Sequence, residues 1–97
     1  MKYHLQFTGQ AAKPSLVADI QNPTDGDVIT LTCSSTTSGV TKYEFLKENV
    51  VIQSGPNVFR VIGPAVIGAD DKSYTCIAYI DNIASVTSDP HVISRKS

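Results

Sequence analysis

In the stretch Ser73–Asp81, which reads SYTCIAYID, every second residue from Tyr74 to Ile80 is apolar. An alternation with a period of two is typical of a β-strand, because successive side chains point to opposite faces of a sheet. One predicted face carries Tyr74, Cys76, Ala78 and Ile80. We therefore predict a strand that turns this face toward the core.

A second stretch, Val28–Ser34, has the same alternation. Ile29, Leu31 and Cys33 fall on one face, and threonines separate them. β-branched residues are enriched in strands, so this stretch is also predicted to be a strand with one buried face. Together the two stretches place Cys33 and Cys76 on core faces.

These two cysteines are the only ones in the 97-residue chain, and 43 positions separate them. No C-x-x-C spacing is present, and His4 and His91 lie near opposite ends of the chain, which argues against zinc and redox sites. Either a structural disulfide or two buried free thiols remain, and we favour the disulfide and hence an oxidising compartment. Such a bond would stabilise the fold by roughly 4 kcal/mol in the loop-entropy model.

Turn-forming clusters rich in Gly, Pro, Asn and Asp interrupt the rest of the chain at short intervals. No segment has apolar residues at helical spacing with capping signals at its ends, so no substantial helix is predicted. The other strands are predicted at Pro14–Ile20, Thr41–Lys47, Val50–Gln53, Val58–Ile62 and Ala84–Ile93, the last bent at Pro90. Short strands between such turns predict an all-β, antiparallel sandwich or barrel.

With these residues in place, the sequence from about Lys13 to Ser94 resembles an immunoglobulin-superfamily domain. Cys33 and Cys76 resemble the family's two cysteines, and Tyr74 stands two residues before the second, where the family has its tyrosine corner. Asp70 matches the acid of the family's Asp-x-Gly-x-Tyr-x-Cys motif. The resemblance implies a two-sheet Greek-key sandwich with a disulfide between its sheets.

Two residues depart from the family pattern. The chain has no Trp, and Phe45, twelve residues after Cys33, takes the place of the Trp that packs on the disulfide. Lys72 replaces the usual Gly of the motif. The short segment after the predicted strand Val50–Gln53 disfavours the variable type. The chain therefore resembles the I and C2 sets of carcinoembryonic-antigen, cell-adhesion and Fc-receptor-like surface proteins.

We divide the chain into residues 1–12, predicted to be a linker, a tag or an extra edge strand, and an Ig-like domain at 13–97. The edge strand is considered because Tyr3, Leu5 and Phe7 alternate. The first six residues lack the apolar run of a secretory signal, so we expect any signal to have been removed or to lie outside this fragment.

The sequence offers little chemistry of its own. A formal net charge of −1 argues against nucleic acid and an anionic membrane as partners, and no stretch of the fragment is predicted to insert into a membrane. No nucleophile with a base, phosphate loop or metal cluster is evident, so we predict no enzyme, cofactor or metal. The acids Asp25, Asp27, Asp70 and Asp71 are interpreted as turn caps rather than as a calcium site.

A candidate binding face follows from the predicted alternation. If Phe45 and Cys76 point inward, five residues share the opposite face: Lys42, Glu44, Leu46, Ile77 and Tyr79. Apolar side chains rimmed by charge are typical of a protein-binding patch. The alternatives are an ordinary scatter of surface apolar residues or a surface that a neighbouring domain covers. The loops Ser34–Val40 and Asp81–Ile83 are a weaker candidate because the first has no aromatic anchor.

We therefore expect an extracellular or cell-surface module of recognition or adhesion. Its partner would be another protein, a second copy included, or adjacent Ig domains. The alternative is a structural or elastic repeat of an intracellular tandem array, as in muscle scaffold proteins, which resemble the I set and keep reduced cysteines.

Overall fold

A computed structural model describes residues 9–21, 23–24, 27–62 and 73–93 of the chain. Within these ranges every regular element is a strand, and the strands are numbered along the chain. They are β1 (Ser15–Ala18), β2 (Val28–Ser34), β3 (Lys42–Lys47), β4 (Val50–Gly55), β5 (Val58–Ile62), β6 (Ser73–Ile80), β7 (Ile83–Ala84) and β8 (His91–Val92).

The strands form two antiparallel sheets. The smaller sheet has the order β1-β2-β5, and the larger has the order β4-β3-β6-β7, with β8 also paired to β6. Because β2 lies at the centre of one sheet and β6 near the centre of the other, the two cysteines face each other across the core. The predicted all-β sandwich of two antiparallel sheets is confirmed.

The disulfide Cys33–Cys76 joins the two sheets, with 6.3 Å between the two Cα atoms. The sequence did not decide between a disulfide and two free thiols, and the structure contains the disulfide. Phe45 is the cross-strand neighbour of Cys76, and both are fully buried. The Phe59 ring lies 5.8 Å from that of Phe45 and 6.4 Å from that of Tyr74 between centroids, so three rings pack in sequence through the core.

Two predicted strands, at Val28–Ser34 and Val58–Ile62, are found with their predicted bounds. The strand predicted at Val50–Gln53 extends to Gly55 and contains a register shift opposite Phe45 and Leu46. The strand predicted to end at Asp81 ends one residue earlier, because Asp81 has a φ of 56° and begins the turn to β7.

The prediction of one last strand over Ala84–Ile93 is wrong. The structure has two short strands, β7 and β8, separated by residues 85–90. In this gap the hydroxyls of Ser85 and Ser88 accept hydrogen bonds from β6 amides in place of strand carbonyls. Pro90 has no amide hydrogen to donate to a ladder. The pairing with β6 therefore resumes only at His91.

A two-residue turn joins β3 to β4 in the larger sheet. Lys47 pairs with Val50, and both central residues, Glu48 and Asn49, have positive φ, which is typical of a type I′ turn. The Glu48 amide donates to the Ser73 carbonyl at 2.9 Å, and the Glu48 carboxylate accepts from the Ser73 amide at 2.6 Å. The first residue of β6 thus fixes the hairpin tip.

Residues 9–12, the described part of the predicted linker, lie against the sandwich. Ala11 is buried, and the Ala12 backbone donates to Thr37 Oγ1 and accepts from Ser35 Oγ. Residues 1–8, which include His4 and the alternating Tyr3, Leu5 and Phe7, fall outside the described residues, so the proposed edge strand stays a prediction. No helix in the described ranges has the length and hydropathy that a membrane span requires.

Candidate functional site

The candidate site is the solvent side of the larger sheet, here called the outward face. It is built on the pairing of β3 with β6, in which Lys42 pairs with Tyr79 and Glu44 with Ile77. Leu46 is the next outward residue of β3. The two strands therefore bring all five residues of the predicted face together, because paired residues of an antiparallel sheet share a face.

A sixth residue of the outward face was missed at the sequence level. Val51 of β4 pairs with Leu46, and its side chain is 49% exposed. The alternation within β4 does not show this, because a bulge shifts the register so that Gln53 pairs with Phe45 while Val51, not Ile52, pairs with Leu46. Only the strand pairing decides which β4 residues turn outward.

The polar groups of the outward face are paired with one another. The Tyr79 hydroxyl donates to Glu44 Oε1 at 2.9 Å, and Lys42 Nζ lies 4.7 Å from the centre of the Tyr79 ring. The hydrogen bond to Glu44 raises the pKa of the Tyr79 phenol above its ordinary 10.0, and burial and the Glu44 charge act in the same direction. Tyr79 is thus a neutral donor that stands between an anion and a cation.

Burial differs among the outward residues of β6. Thr75, which pairs with Leu46, is 9% exposed, and its Oγ1 is buried without a hydrogen-bond partner in the described part of the chain. Ile77 and Tyr79 are only half-buried. Contact with another protein would therefore centre on Ile77 and Tyr79.

The two loops considered at the sequence level are held by internal hydrogen bonds. Ser35 and Thr37, in the loop before β3, bind the Ala12 backbone. Thr41 Oγ1 accepts from the Asp81 amide and donates to the Tyr79 carbonyl, so the turn after β6 is tied to the start of β3. These polar groups serve the fold, which weakens the loops as binding elements.

The remaining predicted residues lie in the core or outside the described chain. Phe45 and Tyr74 are buried. Asp70 and Lys72 fall outside the described residues, so the tyrosine corner stays a prediction.

The structure describes one of the four acids interpreted as turn caps. Asp27 Oδ2 accepts hydrogen bonds from the amide and hydroxyl of Thr24. The other three acids, Asp25, Asp70 and Asp71, fall outside the described residues. Within the described ranges no three His, Cys, Asp or Glu side chains come together as a metal site would require.

A comparison with protein families matches residues 13–94 to the sequence model of the immunoglobulin domain. A sequence search among curated proteins finds no match to the chain. The family match covers both cysteines, the three core rings and the outward face, and it agrees with the two-sheet topology and the bridging disulfide. Domains of this family are generally non-enzymatic modules of protein interaction. The chain belongs to the immunoglobulin domain family.

Proposed function

We propose that this domain is an extracellular recognition or adhesion module that binds another protein through its outward face. The observation that carries the proposal is the arrangement around Tyr79. Lys42 and Glu44 are already paired to its ring and its hydroxyl, so the face presents apolar surface without an unpaired charge. A partner would cover the face at a low desolvation cost, because charges that keep their partners lose less on leaving water.

The apolar part of the face has the composition of a small hot spot. Ile77 is the next outward residue to Tyr79 on β6, Lys42 and Glu44 pair with these two residues, and Leu46 and Val51 lie further along the same face. Interfaces concentrate their binding energy in a few central side chains, with Tyr among the most frequent, inside a more polar rim. We therefore assign Ile77 and Tyr79 as the centre and Lys42 and Glu44 as the rim.

The disulfide supports the extracellular setting over the intracellular tandem array. Disulfides persist in secreted and cell-surface proteins and are rare in reducing compartments. Thiol titration of the denatured protein, isolated from its native source without reductant, separates the two settings. We expect no reactive thiol, whereas two reactive thiols would favour the intracellular array.

The binding test uses the domain displayed in many copies on beads, which raises weak affinity through avidity. The beads are offered to extracellular proteins of the source organism and to beads that carry the same domain. We expect Ile77→Asp and Tyr79→Ala to abolish binding while the thermal unfolding midpoint stays close to that of the wild type. Val17→Asp, at an exposed position of β1 in the other sheet, is the control and should bind normally. Equal binding by Ile77→Asp and the control would refute the assignment of the face.

A further inference from the structure

The edge of the larger sheet at β4 is a feature distinct from the outward face. β4 ends the larger sheet and pairs only with β3 in the described part of the chain. Its first residues are exposed and apolar, with Val50 at 63%, Val51 at 49% and Ile52 at 37% exposure, and Val50–Gly55 contains no charged residue. An edge strand presents unpaired backbone amides and carbonyls, and natural proteins usually protect such an edge with charges.

The two charged residues that precede β4 in the hairpin do not protect its edge. Lys47 Nζ lies 5.9 Å from the centre of the Tyr74 ring, and the Glu48 carboxylate accepts a hydrogen bond from the Ser73 amide. Both side chains are directed toward β6, away from the free edge of β4. The edge therefore lacks the repulsive groups that would oppose another uncharged strand.

The opposite side of the same sheet differs. Between β7 and β8 the chain leaves strand geometry over residues 85–90, and the Ser85 and Ser88 hydroxyls occupy two β6 amides. That interruption leaves no long strand at this edge on which a second copy could align. Among the described residues, the edge at β4 has six consecutive strand residues, whereas the opposite edge has two short strands of two residues each.

We propose that β4 pairs antiparallel with β4 of a second copy of this chain, so that the larger sheets of two molecules become continuous. A second copy fits because an uncharged strand related to itself by a two-fold axis brings no like charges together. Two-fold pairing occupies the β4 edge of both molecules, so no β4 edge is left for a third molecule. The product is therefore a closed dimer rather than a fibre. The short strand and the bulge near Ile52 limit the contact, so the dimer is weak and depends on concentration.

Sedimentation equilibrium at increasing protein concentration is the first test. We expect dimers, and we expect Val50→Lys and Ile52→Lys each to weaken dimerisation by about tenfold or more, because a charge is placed on each side of the shared axis. Val92→Lys is the matched control, since Val92 lies in the same sheet, is 62% exposed and is remote from β4 along the strand order. A monomer up to millimolar concentration, or a dimer that the β4 variants leave intact, would overturn the proposal.

Amide hydrogen exchange separates pairing at the β4 edge from contact through the outward face. Contact through the outward face would leave the exchange rates of the β4 amides unchanged. At high protein concentration the amides of β4 should exchange more slowly than at low concentration, because new strand pairing protects them. The same measurement on Ile77→Asp separates this inference from the proposed function. If that variant still dimerises with β4 protection, the edge acts independently of the face. Dimerisation of the wild type with unchanged β4 exchange would refute edge pairing.

Discussion

Ser88 and Cys76 are joined by two hydrogen bonds, one from the Ser88 amide to the Cys76 carbonyl and one from the Cys76 amide to the Ser88 hydroxyl, both at 2.9 Å. Ser85 makes the same pair of contacts with Ala78, at 2.8 and 3.0 Å. A serine hydroxyl therefore replaces a strand carbonyl at each position. The amides of two fully buried residues keep their partners although the strand beside them is interrupted.

We expect Ser88→Ala to lower the free energy of unfolding by about 1–3 kcal/mol, because it leaves the buried Cys76 amide without its acceptor. Chemical denaturation monitored by circular dichroism measures the change. Thr87→Ala, at the exposed neighbouring position, is the control and should change stability by less than about 0.5 kcal/mol. Equal effects of the two variants would show that the Cys76 amide does not depend on Ser88.

Restoring the family's Trp should not stabilise this domain. Phe45 is fully buried beside Cys76 and packs on Phe59. Phe45→Trp adds volume and a buried donor, and we expect it to cost about 1–3 kcal/mol through overpacking. Phe45→Ala, which leaves a cavity, should lower the free energy of unfolding by about 3–5 kcal/mol and serves as the comparison for the Trp variant. A Trp variant as stable as the wild type in urea denaturation would show that the core has room for the larger ring.

Loss of the disulfide should remove a large share of the stability. The bond closes a segment with a sequence separation of 43 residues, for which the loop-entropy model gives a stabilisation of about 4 kcal/mol. We expect the double variant Cys33→Ala and Cys76→Ala to lose at least this much, since it also removes two buried sulfur atoms from the core. Reduction of the wild type by a thiol reagent isolates the effect of the bond. A reduced protein with an unchanged denaturation midpoint would contradict the expectation.

The hydrogen bond between Tyr79 and Glu44 predicts a pH dependence at the alkaline end. Since it raises the pKa of Tyr79 above 10.0, the folded protein holds the phenolic proton more tightly than the unfolded chain does. This contribution to stability is complete below pH 10 and is lost as the pH rises through the raised pKa.

Ultraviolet titration of tyrosinate should therefore show a late ionisation that is missing in Tyr79→Phe. Glu44→Gln removes the neighbouring charge and the carboxylate acceptor, so the Tyr79 titration should move to lower pH. A titration curve that is the same in wild type and Glu44→Gln would show that the contact does not form in solution. Lys13→Gln is the control, because Lys13 forms an ion pair with Asp89 and neither residue belongs to the outward face. This variant should leave the Tyr79 titration unchanged.

Side-chain alternation predicted the parts of the fold that depend on one face being buried. Val28–Ser34 and Ser73–Ile80 each carry a cysteine on the buried face of an alternating run, so burial of that face fixes both the strand and its orientation. The five residues of the predicted outward face follow from the same rule, because the side opposite Phe45 and Cys76 must point away from the core.

The alternation failed where side-chain polar groups or turn geometry replaced the regular ladder. Ser85 and Ser88 look like ordinary strand residues in the sequence, and nothing local shows that their hydroxyls would take over the bonding of β6. Likewise, the bulge in β4 that brings Val51 onto the outward face depends on how the type I′ turn at Glu48 and Asn49 meets the pairing beyond it.

The sequence by itself determined the strands with one buried face and the pair of cysteines available for a bridge. Only the tertiary structure decided the pairing of Lys42 and Glu44 through Tyr79 and the direction of Lys47 and Glu48 toward β6. It also decided that β4 ends the larger sheet in the described part of the chain. The reason is that period-two burial is a property of each strand alone. A contact between strands depends instead on register and on turns, and the chain settles these only when the two sheets are assembled.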